Sequence, residues 1–287
     1  MGRMAEEERT RKDLERLARF RVLDDTFMRQ VFKDQRELTQ HVLRVLTSIR
    51  GLVLVDHETQ RDLKRLVGSK SVVLDVWGTD PKGTQYDMEV QSGSDLDPLR
   101  FRYYGSAMDV EALPAGADYG DLPERWLIVV LECDSDGPER KLRHYRMREE
   151  GDGTSADAPL ADGAHLIYVN AAWRGNDEIG SLMSDFCQSD PAQIHDAMLR
   201  ERVQYLKTDP EGVREMCRIS DEIYNEGIEQ GLAQGIAQGA RGNLLANMRS
   251  LMETLGLSEC QVLDALQVPE SERKDVLAEL QTPVSAD

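Results

Sequence analysis

From residue 27 to residue 49, apolar side chains return at intervals of three, four and seven: Phe27, Val31, Leu38, Val42, Val45 and Ile49. That spacing lines one face of a helix, with Asp24, Asp25 and Thr26 offering an N-cap and Gly51 the stop. The period then changes. Residues 53–55 read as a short strand, residues 58–67 as a further turn or two of helix, and Val72-Val73-Leu74-Asp75-Val76-Trp77 as a strand rich in β-branched residues. Thr79-Asp80-Pro81-Lys82-Gly83 supplies a turn. In residues 85–91 polar Gln85, Asp87, Glu89 and Gln91 alternate with apolar Tyr86, Met88 and Val90, which predicts a strand with one face buried.

Asp97 before Pro98 pairs an N-cap with proline at the first helical position, opening a helix through Tyr103, Tyr104, Ala107 and Met108. Residues 126–131 are apolar without a break, as in a central strand covered on both faces. Residues 151–163 read as a loop, 165–169 as a strand, and Asp190-Pro191 as the start of a helix reaching about Leu206. This order predicts an α/β domain over residues 24–208, a mixed sheet flanked by helices, after a charged leader at residues 1–23.

The pattern changes again in residues 209–242, where Gly227, Gly231, Gly235 and Gly239 recur every four residues in a short Gly-Ile/Leu-x-Gln repeat. In a helix, four residues overshoot one turn by about 40°, so the glycines form a slowly rotating stripe where another helix can approach closely. A flexible linker is the other reading, because each glycine costs a helix about 1 kcal/mol relative to alanine. Residues 243–287 form a small helical tail: residues 244–255 are amphipathic, Gly256 is a stop, Ser258-Glu259-Cys260-Gln261 is a capping box, and residues 271–280 read as a third helix. The stripe and tail together predict a homo-oligomer.

Composition narrows the function classes. A formal charge of −18 over 287 residues argues against a protein that coats nucleic acid non-specifically. The acids are unevenly spread, however, and residues 1–50 are slightly basic, so Arg29, Lys33 and Arg36, or the helix carrying Arg100, are candidates for a positive rim. The four cysteines lie far apart, and none of the five histidines has a partner at metal-ligand spacing, which disfavours a disulfide framework or a zinc site. No segment approaches the roughly 18 apolar residues of a membrane span, and residues 1–21 lack the apolar core of a secretory signal. A reducing cytoplasm is the expected location.

One constellation carries chemistry. A turn centred near Pro81 and Lys82 pairs residue i with about 164 minus i, which sets Asp75 opposite or diagonal to Glu89, with Gln91 on the same face as Glu89. Opposed side chains in a sheet lie only about 5 Å apart, so two carboxylates there repel unless a cation sits between them. Mg²⁺ suits such a pair, since it takes a few carboxylate oxygens and keeps positions open for water and phosphate. Acids on the open face of a hairpin can equally be merely solvated. Asp87 shares that face, as a supporting acid or a solvated one.

The run Leu74-Asp75-Val76, an Asp-Pro-Lys-Gly turn and Met88-Glu89-Val90-Gln91 resembles the D…E-x-Q core of the Rpn-like branch of PD-(D/E)XK nucleases, whose members are often called transposases. The likeness extends to Asp24-Asp25-Thr26-Phe27 through Val31-Phe32, to Arg100-x-x-Tyr103-Tyr104, to Tyr119-Gly120-Asp121-Leu122 with the strand after it, and to Gly256-Leu257-Ser258 in the tail. It spans residues 24–170 and part of the C-terminus. The resemblance implies a PD-(D/E)XK fold and a DNA endonuclease, a hydrolase dependent on Mg²⁺ or Mn²⁺ and linked to recombination. By the same resemblance Asp75 and Glu89 are the metal-binding, catalytic acids, and Gln91 stands where the wider superfamily has lysine. Glutamine brings no charge and can only orient water or phosphate by hydrogen bonds. Lys70, just before the hairpin's first strand, and Lys82 in the turn are the nearby alternatives for that charge, or else ordinary surface lysines. Arg100 and Tyr104 are candidates for DNA contact or for packing. The alternative expectation is a catalytically weak or inactive nuclease-fold protein that acts as an oligomeric binding partner or regulator. Residues 252–280 are not basic enough for a DNA-reading helical tail.

Overall fold

The computed structural model describes residues 2–63, 70–92, 97–133, 137, 139–148 and 160–280. The chain divides into two compact units, Met1–Cys217 and Arg218–Asp287. The first contains α1 (Gly2–Arg19), α2 (Asp25–Phe32), α3 (Arg36–Thr47), β1 (Asp56–Asp62), β2 (Val73–Thr79), β3 (Gln85–Gln91), α4 (Pro98–Ala112), β4 (Arg125–Leu131), β5 (Leu142–Tyr145), β6 (Ala164–Asn170), α5 (Glu178–Phe186) and α6 (Ala197–Thr208). The strands form one sheet in the order β1-β2-β3-β4-β6-β5. β3, β4 and β6 run parallel, while β1/β2, β2/β3 and β5/β6 are antiparallel. The fold is therefore α/β, a six-stranded mixed sheet flanked by helices.

β4 shows why its sequence has no polar alternation. Ile128 and Val130 point into a core built with Phe27 and Phe32 of α2, Leu43 of α3, Phe186 of α5 and Val203 of α6. Leu127, Val129 and Leu131 point the other way, against Phe101 of α4 and Tyr168. Each fully buried side chain of this size contributes about 1.5–3 kcal/mol of transfer free energy. The two layers clamp the sheet, and α4 roofs the half that carries Asp87 and Glu89.

Several expectations need correction. The helix foreseen over residues 27–49 is two helices, interrupted at Asp34, whose φ of 57° is left-handed, and it ends at Ser48, also left-handed, before Gly51 is reached. Residues 53–55 are irregular, and the helical turn expected from residue 58 is instead strand β1 as far as Asp62; residues 64–67 of that expectation lie outside the described residues. β1 is an edge strand whose residues are all at least partly exposed, so it has no apolar face to show. Asp190-Pro191 opens a single 3-10 turn, Pro191–Gln193, and the helix starts only at Ala197, capped by Asp196 through the Leu199 N–H. α5 and β5 were not foreseen. Of the loop expected at residues 151–163, residues 151–159 lie outside the described residues. Part of the leader is helix α1, held at its end by Lys207 of α6. The Lys207 ammonium donates to the carbonyls of Ala18, Phe20 and Ser189, and burial pushes its pKa down to about 8.

Helix α7 (Pro210–Leu255) contributes to both units, and the second unit adds α8 (Glu259–Ala265) and α9 (Glu270–Leu280). The glycine repeat is thus helical. Gly256 follows α7 with φ 63°, and Ser258 and Gln261 form the expected capping box of α8. Met248, Val262, Leu263, Val268 and Val276 make a small separate core. No helix of the described residues is long and apolar enough to cross a membrane.

Candidate functional site

β2 and β3 pair in the register that the turn dictates: Thr79 with Gln85, Gly78 with Tyr86, Trp77 with Asp87, Val76 with Met88. The ladder stops one residue short of Asp75. There the backbone N–H of Asp75 donates to a side chain, Glu89 Oε1, at 3.0 Å. The ladder to β1 is also interrupted, passing from Thr59 opposite Val76 to Arg61 opposite Leu74, and the intervening Gln60 has φ 58°. Leu74 and Trp77 pack in one cluster while Val76 packs in the opposite layer, so strict alternation fails here. A strand irregularity of this kind re-aims a side chain. Gln60 Nε2 completes it by donating to Asp75 Oδ1 at 3.0 Å.

Two arginines close on the acids from different layers. Arg29 of α2 lies 3.2 Å from Asp75 Oδ1 through both Nε and Nη2, and 2.8 Å from Asp25 one turn earlier. Arg100 stands at the start of α4, whose N-cap Asp97 accepts from the N–H groups of Leu99 and Arg100. Its Nη2 is 3.6 Å from Glu89 Oε2 and 3.1 Å from the Tyr104 hydroxyl, and its Nη1 donates to Gln91 Oε1 at 3.1 Å. All five residues selected from the sequence, Asp75, Glu89, Gln91, Arg100 and Tyr104, therefore belong to one connected polar cluster. Lys70 and Lys82 are exposed, and Lys33 pairs with Glu215 at 3.7 Å.

The expectation of an open polar face on β3 fails. Under α4, Glu89 is 2% exposed, Asp87 0%, and Asp75 on β2 only 5%. Neither oxygen of Asp87 meets a hydrogen-bond donor. Burial, then the charges of Glu89 and Asp75, hold the Asp87 carboxyl well above the usual carboxylate range. Glu89 is pushed up to about 8, first by burial and then by the charge of Asp75, against the opposing pull of the Asp75 N–H and Arg100. Asp25 is raised by burial and by Asp75. Once protonated, Asp87 is placed to donate to Glu89. The sequence offered no sign of Gln60, and Asp25 was read as a cap; its i,i+4 spacing to Arg29 was the available signal.

Four carboxyl groups, Asp25, Asp75, Asp87 and Glu89, thus face two guanidiniums, Arg29 and Arg100. Buried charge of one sign is costly and is relieved by protons or by a cation. The Asp75 and Glu89 oxygens, with the Gln91 amide oxygen near them, are the hard donors that Mg²⁺ or Mn²⁺ takes, and a two-acid set leaves positions for water and phosphate. Among the described residues no group of three or more His, Cys, Asp or Glu side chains is arranged to hold a metal ion. The chemistry of these donors suits such a cation, and among the described residues they form no closed cage. The chain matches no family model, no curated protein and no solved structure.

Proposed function

We propose that this chain is a DNA endonuclease of the PD-(D/E)XK type, in the Rpn-like branch that its motifs resemble, with Mg²⁺ or Mn²⁺ as cofactor and a link to recombination. The observation that carries the reading is the meeting of buried Asp75 and Glu89 at the strand irregularity, beside Gln91 and Arg100. Asp75 and Glu89 would hold the ion, which when bound supplies Lewis-acid polarisation of the phosphate and a more acidic water. Arg29 and Gln60 fix the Asp75 carboxylate in orientation. The Gln91 amide orients water or a phosphate oxygen but carries no charge. Arg100, already hydrogen-bonded to Gln91, brings the positive charge to that position, and a guanidinium suits the fork of a phosphodiester.

A second reading is favoured by one feature. Arg29 and Arg100 already neutralise Asp75 and Glu89, so they compete with a metal, as befits a nuclease-fold protein that binds partners without turnover. Plasmid nicking in Mg²⁺ or Mn²⁺, against EDTA, tests the two. We expect metal-dependent nicking that falls by about 100-fold or more in Asp75→Ala and in Glu89→Gln, the scale of losing several kcal/mol of transition-state stabilisation. Wild-type protein that binds DNA but leaves the plasmid closed in both metals would replace the endonuclease with the binding protein.

A further inference from the structure

On the α4 side of the sheet, toward the β5 edge, a cleft of about 320 Å³ opens between α4, the starts of β4 and β6, and the segment beyond β5. That volume falls at the small end of small-molecule sites. Three guanidiniums line it: Arg102 of α4, Arg125 of β4 and Arg146 just after β5. Arg125 is fixed, its Nε 2.7 Å from Asp109 Oδ1. It lies flat against α4 because residue 105 is glycine, where a Cβ would come within 2.5 Å of the guanidinium. Arg102 and Arg146 make no side-chain hydrogen bond or ion pair among the described residues. Asp162, the one carboxylate among the lining residues, accepts from the Ala164 N–H. In a chain of charge −18, this cleft therefore gathers two guanidiniums, Arg102 and Arg146, beyond the one that Asp109 pairs, against the single lining carboxylate of Asp162.

Aromatic surface accompanies the charge. Tyr145 packs edge-on against Tyr168 at 5.5 Å and is still about half exposed at the cleft. His165, at the floor, is already committed: it stacks on Trp126 at 3.9 Å, contacts Glu124 at 2.9 Å and meets His144 at 2.9 Å. His144 and His165 share no metal-ligand spacing in the chain, yet here they stand side by side.

We propose that this cleft binds a nucleoside phosphate, with Arg102 and Arg146 on the phosphate and Tyr145 against the base. Guanidiniums take phosphate oxygens in bidentate pairs, and aromatic rings stack on any base. Glu89 aligns with Val129 and Tyr168 across the parallel strands, while Ala164 lies four residues earlier on the second strand over. By strand geometry Ala164 is roughly 16 Å from Glu89, while Leu127, at the near end of the cleft, pairs with Asp87; none of the site's acids lines the cleft, so the proposal does not rest on their being catalytic.

The ligand can be a free nucleotide or one unit of a nucleic-acid strand. Fluorescence titrations of the full chain with thymidine monophosphate and with a short oligothymidylate separate the two sources, with inorganic phosphate as a third probe. Binding of at least one thymidine probe is expected, weakened about 10-fold or more in Arg102→Glu/Arg146→Glu and about 5-fold or more in Tyr145→Ala, and unchanged in Asp75→Asn. Binding of the monophosphate identifies a nucleotide site, and binding of the oligomer alone a strand site. Should the double variant not fold, Arg102→Gln/Arg146→Gln is read in its place. The proposal is overturned by no thymidine binding, by binding indifferent to the arginine variants, or by inorganic phosphate binding as tightly as thymidine monophosphate with Tyr145→Ala silent. Loss of binding in Asp75→Asn would return the ligand to the acid cluster.

Discussion

Asp87 concentrates the tension of the site in one side chain, fully buried beside Glu89 and without a hydrogen-bond donor. Its carboxyl and that of Glu89 have folded pKa values above their ordinary 3.8 and 4.5, that of Glu89 at about 8. A raised pKa contributes stability that is complete below the unfolded value and is lost as pH rises through the folded one. In EDTA the protein should therefore lose thermal stability as pH rises above about 4, the share of Glu89 being lost by about pH 8. Asp87→Asn removes one of them without changing shape. Its melting temperature should exceed that of the wild type by a growing margin from pH 5 to pH 9, on the order of 1–3 kcal/mol or a few degrees at the upper end. Calorimetry across that range checks it, and a margin flat with pH would mean that Asp87 holds no proton in the folded state. Arg100 acts on the neighbouring acid in the opposite sense, since its charge lowers the pKa of Glu89. If Glu89 must be ionised for cleavage, Arg100→Ala should move the acid limb of the pH–rate profile to higher pH. An arginine that touches only phosphate would lower the rate evenly at every pH.

At the scale of elements, the central hairpin was legible because a turn fixes register, and register fixes which residues meet. Gln85 to Met88 pair with Thr79 to Val76 as counting from the turn requires. Helix α4 was legible from Asp97 and Pro98, and α8 from its capping box. What stayed hidden depends on partners distant in sequence. β1 is polar throughout because it lies at an edge, and Gln60 reaches Asp75 only through a left-handed backbone. The burial of Asp87 comes from α4 lying over β3, which alternation within the strand cannot report. The break at Asp34 likewise interrupts a helical pattern that continues unbroken in the apolar residues. The glycine repeat is helical, and a side chain added at Gly231, Gly235 or Gly239 would meet nothing within 4 Å, while Ile228, Leu232 and Ile236 are exposed beside them. We expect this stripe to pack against a second copy. Gly231→Leu/Gly235→Leu raises intrinsic helicity by about 1 kcal/mol per site yet should reduce the oligomer. Light scattering decides, because an unchanged mass would make the repeat a spacer.

For the whole molecule, the charge of −18 sets how DNA can be held. Each phosphate neutralised adds about −0.9 to the slope of log affinity against log salt on duplex DNA. A few arginines acting locally predict a slope of about −2 to −4, measurable by titrating DNA binding over a range of salt. A slope near zero would favour the partner-binding reading, and one near −10 would require a basic surface that this composition does not provide. The same distribution of charge bears on how the protein survives at high concentration. β1, the outer strand, reads Asp-His-Glu-Thr-Gln-Arg-Asp and is kinked at Gln60, while the opposite edge, β5, is only four residues long. An edge becomes a seed for fibrils when it is long, flat and apolar. Here an incoming strand would meet alternating charge, a backbone turned out of plane, or too few residues to zip onto, so the sheet is closed to growth by recruitment of other chains.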